Sequence, residues 1–352
     1  MLKQSKILYV IKTMDIGGAE RFTFNLANYF KDKTASVTVA SAGGIFTDKL
    51  EQSGIKHIKL KTPPEIKNFI SLYKELSQIL KDDDYSIVHC QHRIFTFLLQ
   101  FIPQKKFILL YTAHNVFTDL FQKCIYPDHA AAVSTSILDN LRSYSFIKKN
   151  KISQINLGVK VPEIYNTRNG TITLGFIGRL INEKGIFNLL ESVKILSSEN
   201  LGFKLIIKGQ GDLTKITSYI KHYNLSAIVS IPPPASDVEE IYHDINILVL
   251  PTWLNEGLPL SILEAAARKI LIVSTGAGGI KDFLRDRQTG VMLDSLDPVS
   301  IARKLKEVIT NYDSYSSILD NALNKVKDEF SLELMNKKYE ALYCELLEPK
   351  LS

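Results

Sequence analysis

Cysteine is scarce: Cys90, Cys124 and Cys344 are the three in 352 residues, far apart and in no Cys-x-x-Cys pair. That excludes a disulfide framework and a thiolate zinc site, and the three read as core or surface thiols. Long hydrophobic runs are missing as well. Stretches near the N-terminus such as "ILYVI" (7–11) fall far short of the roughly 20 residues that cross a bilayer, and no signal-peptide pattern surrounds them. A cytoplasmic protein is expected. No internal repeat, no low-complexity tract and no known nucleic-acid-binding pattern is present, so nucleic acid is not an expected partner.

The chain does have enough length for two domains, each with its own core. Its net charge of +6 is uneven: residues 1–165 hold 22 Lys and Arg against 14 Asp and Glu, and the remainder holds 21 against 23. An excess of +8 on the first half suits either a plain solvated surface or peripheral contact with an anionic membrane, at its inner face. Short apolar runs alternate with helical patterns: "KILYVI" (6–11), "ASVTVA" (35–40), "SIVHC" (86–90), "KFILLYT" (106–112), "TLGFIG" (173–178), "FKLIIK" (203–208), "INILVL" (245–250) and "ILIVST" (270–275). Near-continuous apolar strands separated by helices predict parallel sheets covered on both faces. Ile186, Leu189, Leu190, Val193 and Leu196 form one apolar helical stripe, expected in the core. The pattern pauses in a polar stretch at 156–172, where the interdomain linker is placed. The expected division is 1–165, 166–331 and a helical tail at 332–352. Ligands of open parallel sheets bind outside the carboxyl ends of the strands, so a site built from strand-to-helix loops of both halves is expected.

"NEGLPLSILEA" (255–265) sets Glu256 and Glu264 eight positions apart around a helix start. Spacing alone means little, because Glu183/Glu191, Glu191/Glu199 and Glu340/Glu348 repeat it. Context is more telling. Pro259 suits a first helical turn, and from there to Glu264 the rise is roughly 7.5 Å, so two carboxylates could hold the hydroxyls at opposite ends of an elongated ligand. Free helix N–H groups between them suit phosphate, and a nucleotide sugar has that layout. Upstream, "GFIGRLINEKG" (175–185) leaves a strand through Gly178 and presents Arg179 and Lys184, two cations able to neutralise a departing diphosphate.

Together with "KGQGD" (208–212), "LPTWLNEGLPLSILEA" (250–265), "GGIKDFL" (278–284), "DIGGAERFTFNLA" (15–27) and "YTAHN" (111–115), these segments resemble the retaining glycosyltransferases of family four, in order and over nearly the whole chain. The resemblance implies the α/β GT-B fold, two Rossmann-like domains with parallel sheets facing across a cleft, the first for the acceptor and the second for the nucleotide sugar. It implies that Glu256 holds the donor sugar and Glu264 the ribose, that the amides of Gly257 and Leu258 contact sugar or diphosphate, and that Arg179 and Lys184 stabilise the leaving group. Gly17 and Gly18 would let a loop approach the donor, Gly209 would join the donor site, and His114 would contact the donor sugar. No metal or other cofactor is implied. The expected reaction is retaining, metal-independent transfer from a UDP-sugar, ahead of GDP, to a saccharide or lipid-linked saccharide in cell-surface polysaccharide or glycoconjugate synthesis. The tail helix would return to the first domain.

The sequence departs from that family at Asp282, where Glu is usual, at Leu157-Gly158, where Asn-Gly is usual, and at the proline run "SIPPPASD" (230–237). Its "DDDY" (82–85) precedes a strand at the amino end and is read as a solvated turn. His89 and His92 flank a strand end without an assigned chemistry. Three other readings remain open: a nucleotide-sugar epimerase of the same architecture, a dinucleotide-dependent dehydrogenase, for which "GQGDLT" (209–214) lacks the third glycine, and a catalytically silent sugar-binding relative.

Overall fold

A computed structural model describes residues 1–163, 170–199, 201–233, 235 and 237–348. Parts of the 156–172 stretch, of the 230–237 proline run and of the tail beyond residue 348 therefore lie outside the described residues. The chain divides into two compact units, Met1–Gly158 with Leu332–Ser352, and Val159–Ser331. The break falls between Gly158 and Val159, ahead of the 165/166 boundary placed from the sequence.

The first unit is built on seven parallel strands: β1 (Lys6–Val10), β2 (Ser36–Ser41), β3 (Lys56–Lys59), β4 (Ile87–Cys90), β5 (Ile108–Ala113), β6 (His129–Ala132) and β7 (Ile152–Gln154). They lie in the order β3-β2-β1-β4-β5-β6-β7, so the winding direction reverses between β1 and β4. Central β4 is buried along its whole length, which is why it reads as an apolar run interrupted only by His89. The sequence reading misses β3, β6 and β7. Lysine-bounded β3 lies at one edge, "HAAA" in β6 lacks β-branched residues, and β7 has only three residues at the other edge.

The helix Gly18–Phe30 buries Phe22, Leu26 and Phe30, one side chain per turn. Helix Thr135–Tyr144 starts at Ser134, whose hydroxyl accepts from the Ile137 amide. The last helix, Leu332–Leu347, belongs to this unit and anchors in it through a buried polar chain. Tyr339 Oη and Thr112 Oγ1 are 3.0 Å apart, Thr112 Oγ1 and His89 Nε2 2.6 Å, His89 Nδ1 and Tyr343 Oη 2.7 Å, and Tyr343 Oη donates to Tyr9 Oη at 3.1 Å. One proton ordering satisfies the whole chain: Tyr339 to Thr112 to His89 Nε2, then His89 Nδ1–H to Tyr343 to Tyr9. Burial keeps His89 neutral, well below its ordinary range. A histidine at a strand end thus serves to dock the final helix.

The second unit has six parallel strands: β8 (Ile172–Ile177), β9 (Phe203–Lys208), β10 (Val229–Ser230), β11 (Ile247–Leu250), β12 (Leu271–Ser274) and β13 (Val291–Met292). Their order, β10-β9-β8-β11-β12-β13, reverses between β8 and β11. β10 and β13 have two residues each, too short for a periodicity to register. The stripe Ile186, Leu189, Leu190, Val193, Leu196 is buried in helix Ile186–Ser197. Asp212, Asp237 and Asp297 cap three further helices, and Pro298 follows the last of them at the first helical position.

"DDDY" lies at the amino end of β4, at the exit of helix Phe69–Asp82, and Asp83 pairs with Lys6 at 2.5 Å. It is a turn on the side of the sheet away from the strands' carboxyl ends.

Candidate functional site

In the second unit the loops leaving β8 and β11, the two strands that flank the reversal, bring Arg179, Lys184 and Glu256 together. Ligands of doubly wound sheets bind at such a point. The Lys184 ammonium pairs with Glu256 Oε1, and Arg179 Nη2 lies 3.8 Å from Oε2 of the same carboxylate. Lys184 and Glu256 are largely covered, whereas the Arg179 side chain is 59% exposed. Burial first, and then the neighbouring Arg179 charge, pull the Lys184 ammonium down to about 7. The Glu256 carboxylate opposes that pull as its counter-charge.

Local backbone geometry explains why these three groups meet. Gly178, at φ +159°, leaves β8 in a conformation open to glycine and donates its amide to the Lys208 carbonyl at 3.1 Å. A 3-10 turn, Asn182–Lys184, then ends at Gly185, φ +78°, where a Cβ would lie 2.0 Å from the Pro251 carbonyl oxygen. Close approach of these two loops therefore requires the glycine. Thr252, fully buried, fastens them: its hydroxyl donates to the Glu183 carbonyl at 3.0 Å and accepts from the Leu254 amide at 3.1 Å, while the Trp253 amide donates to the same Glu183 carbonyl at 3.1 Å. Glu256 is held from the other side by "GGIKDFL", since the Gly279 amide donates to the Glu256 carbonyl at 3.0 Å.

Helix Leu260–Ala266 follows, and here the structure corrects the sequence reading: Pro259 is the cap, with ψ 126°, and the helix begins one residue later. Glu264 is a buried side chain whose carboxylate accepts from the Tyr242 hydroxyl at 2.8 Å. Tyr242 lies under the Arg268 guanidinium, 5.2 Å from its ring, and Arg268 donates to the Glu264 carbonyl at 2.9 Å and pairs with Glu239 at 2.5 Å. Gly257 and Leu258 are buried, and their amides donate to no protein acceptor among the described residues. Gly209, just after β9, packs so tightly that a Cβ would fall 1.8 Å from the Gly178 carbonyl oxygen. The backbone itself therefore demands glycine there. Tyr242 and Thr252 escaped the sequence reading. Tyr242 sits in a short helix that no spacing ties to Glu264, and Thr252 is one residue of a loop whose partners are backbone atoms.

The other predicted residues belong to the first unit. Gly17, in extended conformation, caps the helix that opens with Gly18, and a Cβ on Gly17 would meet the Glu20 carboxylate. Met14, upstream, exchanges backbone hydrogen bonds with Gly43 and Phe46 at 2.8 Å each. His114 follows β5. Its Nε2–H donates to Gln91 Oε1 at 2.9 Å, the Phe22 ring lies edge-on at 5.1 Å, and burial lowers its pKa to about 4. Gln91 was not predicted. It is buried just after β4, and its Nε2 has no protein partner among the described residues. His92 Nδ1 accepts from the Ile94 amide, capping helix Arg93–Leu99, and burial brings that ring to about 4 as well.

Comparison with known proteins identifies the family. Residues 160–325 match the family model described as glycosyl transferases group 1, and residues 16–161 match that described as glycosyltransferase family 4. The capsular polysaccharide biosynthesis glycosyltransferase CapM of Staphylococcus aureus is 25% identical over 60% of this chain, and the match spans 60% of that protein's length. A Campylobacter jejuni α-1,4-N-acetyl-D-galactosaminyltransferase, named for an undecaprenol-diphosphate-linked saccharide, is 24% identical over 97% of this chain and 99% of its own. HepE of Anabaena, solved with UDP-glucose, superposes with a TM-score of 0.83 at 15% identity, over 97% of this chain and 100% of that one. With its two doubly wound parallel sheets, the chain has the GT-B fold and belongs to the group 1 glycosyltransferases.

Proposed function

We propose that this protein is a retaining glycosyltransferase that moves a hexose-type sugar from a nucleotide diphosphate donor, UDP in the first place, to a saccharide or lipid-linked saccharide acceptor in cell-surface polysaccharide or glycoconjugate synthesis. The observation that carries this reading is the joining of Arg179, Lys184 and Glu256 at the reversal of the second sheet. Two cations compensated by one carboxylate form a site that a diphosphate can enter by exchange. Its phosphate oxygens take over the ammonium and guanidinium, and the freed Glu256 carboxylate accepts from sugar hydroxyls. As the donor bond breaks, charge grows on the leaving diphosphate next to Lys184 and Arg179, and fixed donors of this kind contribute roughly 10²- to 10³-fold in rate each.

The same arrangement supports the remaining roles. Glu264, held by Tyr242, is the ribose acceptor, and the amides of Gly257 and Leu258 are donors for the diphosphate or sugar. Gly209, beside Gly178, shapes the neighbouring backbone. His114, kept neutral, is a hydrogen-bonding contact for substrate rather than a cation, and Gly17 and Gly18 present no side chain where the loop after β1 enters its helix. With two side-chain cations stabilising the leaving group, the proposed chemistry runs without a metal or other cofactor. The capsular and undecaprenol-linked relatives support a polymer or lipid-linked acceptor.

Thermal shift with UDP-, GDP- and ADP-sugars, on the natural protein and on Glu264→Ala, tests the donor assignment. Saturating ligand at a hundred times Kd should stabilise by about 2.7 kcal/mol. Stabilisation by UDP-sugars that Glu264→Ala largely loses supports the reading, and the anomeric configuration of the product, read by NMR, decides retention. Conversion of the donor into an epimeric nucleotide sugar without an acceptor would instead identify an epimerase.

A further inference from the structure

The first unit carries a surface for which the proposed sugar chemistry has no use. Ile70, Phe101, Leu120, Tyr126 and Phe146 are large side chains left more than half exposed, from 52% at Tyr126 to 78% at Leu120. Packing joins them although they come from distant parts of the chain. The Phe97 ring lies 5.2 Å from Phe101, 5.0 Å from Phe121 and 5.7 Å from Phe69, which places the chain neighbours Leu120 and Ile70 beside it. Gln100 donates to the Cys124 carbonyl at 2.9 Å and accepts from the Tyr126 amide at 2.7 Å. Lys123 holds its ammonium over the Phe146 ring at 5.9 Å. Exposed apolar residues scattered singly are ordinary, whereas a joined set marks a contact surface.

Charge identifies the partner. From His129 to Lys151 the chain has one acidic residue, Asp139, against Arg142, Lys148, Lys149 and Lys151. Neither these four cations nor Lys123 is in an ion pair among the described residues. Two acids nearby are already engaged, Asp119 by Arg93 at 2.7 Å and Asp128 by Lys105. Tyr144 and Phe146 lie between Arg142 and the three lysines in "RSYSFIKKNK" (142–151). Aromatic rings that settle at the headgroup level, bordered by uncompensated lysines, match the interface of an anionic bilayer. Among the described residues no helix is long and apolar enough to cross a membrane, so attachment through this face would be peripheral.

We propose that this face docks on anionic lipid bilayers, with Leu120 and Phe146 entering the headgroup boundary and Lys148 and Lys149 meeting lipid phosphates. The proposal does not depend on the donor assignment. Its test is co-sedimentation of the full chain with vesicles of phosphatidylcholine alone and of phosphatidylcholine mixed with phosphatidylglycerol, at low and near-physiological salt. Binding to the mixed vesicles only is expected. Lys148→Glu/Lys149→Glu should weaken partition by about tenfold or more, since each cation near such a surface contributes about 1 kcal/mol. Leu120→Ser/Phe146→Ser should remove the part of the binding that survives salt. Thermal midpoint and UDP-sugar binding should stay unchanged in both variants, which separates this face from the donor site. No sedimentation with mixed vesicles, or sedimentation indifferent to both pairs, overturns the proposal. So does a result in which the variants leave lipid binding intact but split a dimer on a sizing column, which would assign the face to a second copy of the chain.

Discussion

Lys184 offers a sharp quantitative test of the donor site, because its ammonium is weakened in the free protein and should be restored by a diphosphate. Burial and Arg179 bring it to about 7 against an ordinary value of 10.5, while Glu256 pulls the other way. If the donor binds the ammonium form, the free protein must take up a proton whenever the pH lies above the free-site value. Taking about 7 in the free site and about 10.5 in the complex, linkage gives an apparent Kd that rises about twofold from pH 6 to 7 and about fiftyfold from pH 7 to 9. The Glu256 contact makes that figure a ceiling. A nucleotide sugar is the right probe, because its diphosphate does not itself titrate in this range, unlike free UDP. Calorimetry at each pH, in buffers of different ionisation enthalpy, reads both Kd and proton uptake. Lys184→Arg keeps the charge at all these pH values and should flatten the slope while retaining affinity. The sign for folding is opposite: between about pH 7 and 10.5 the unfolded chain binds the extra proton, so this group adds stability to the ligand-free protein as pH rises. A wild-type Kd that changes less than twofold from pH 7 to 9, or a Lys184→Arg variant with the wild-type slope, would refute the assignment of the diphosphate to Lys184.

Tyr242→Phe deletes the hydroxyl that donates to the buried Glu264 carboxylate, a bond to a charged group, and should cost roughly 1.5 to 3 kcal/mol in urea unfolding. Donor KM should rise with kcat nearly unchanged, and an unaltered KM would detach Glu264 from the donor. Gly185→Ala places a methyl 2.0 Å from the Pro251 carbonyl oxygen at φ +78°, which should cost about 2 to 5 kcal/mol through strain and overlap; a midpoint within error of the natural protein would show that the two loops are not locked. Tyr343→Phe leaves His89 Nδ1 buried without its partner, a loss of about 1 to 3 kcal/mol, and hydrogen exchange should quicken in helix Leu332–Leu347 before the central strands.

Local patterns by themselves determined the parallel-sheet class, eight of the strands and the buried stripe of helix Ile186–Ser197, because burial on both faces writes apolar runs into the chain. They also singled out Arg179, Lys184 and Glu256, because glycines at strand exits and charges at helix entries leave a mark within a dozen residues. Short or edge strands such as β3, β10 and β13 leave no such mark, since few of their residues are buried and periodicity needs length. What only the tertiary structure decided is which groups touch. The pairing of Lys184 with Glu256 spans the reversal of strand order, the bond from Tyr242 to Glu264 joins two helices, and the role of His89 depends on a tyrosine from the far end of the chain. The exposed set around Phe97 belongs to the same class. Contacts between segments distant in sequence are fixed by packing, and no local pattern of residue types records them.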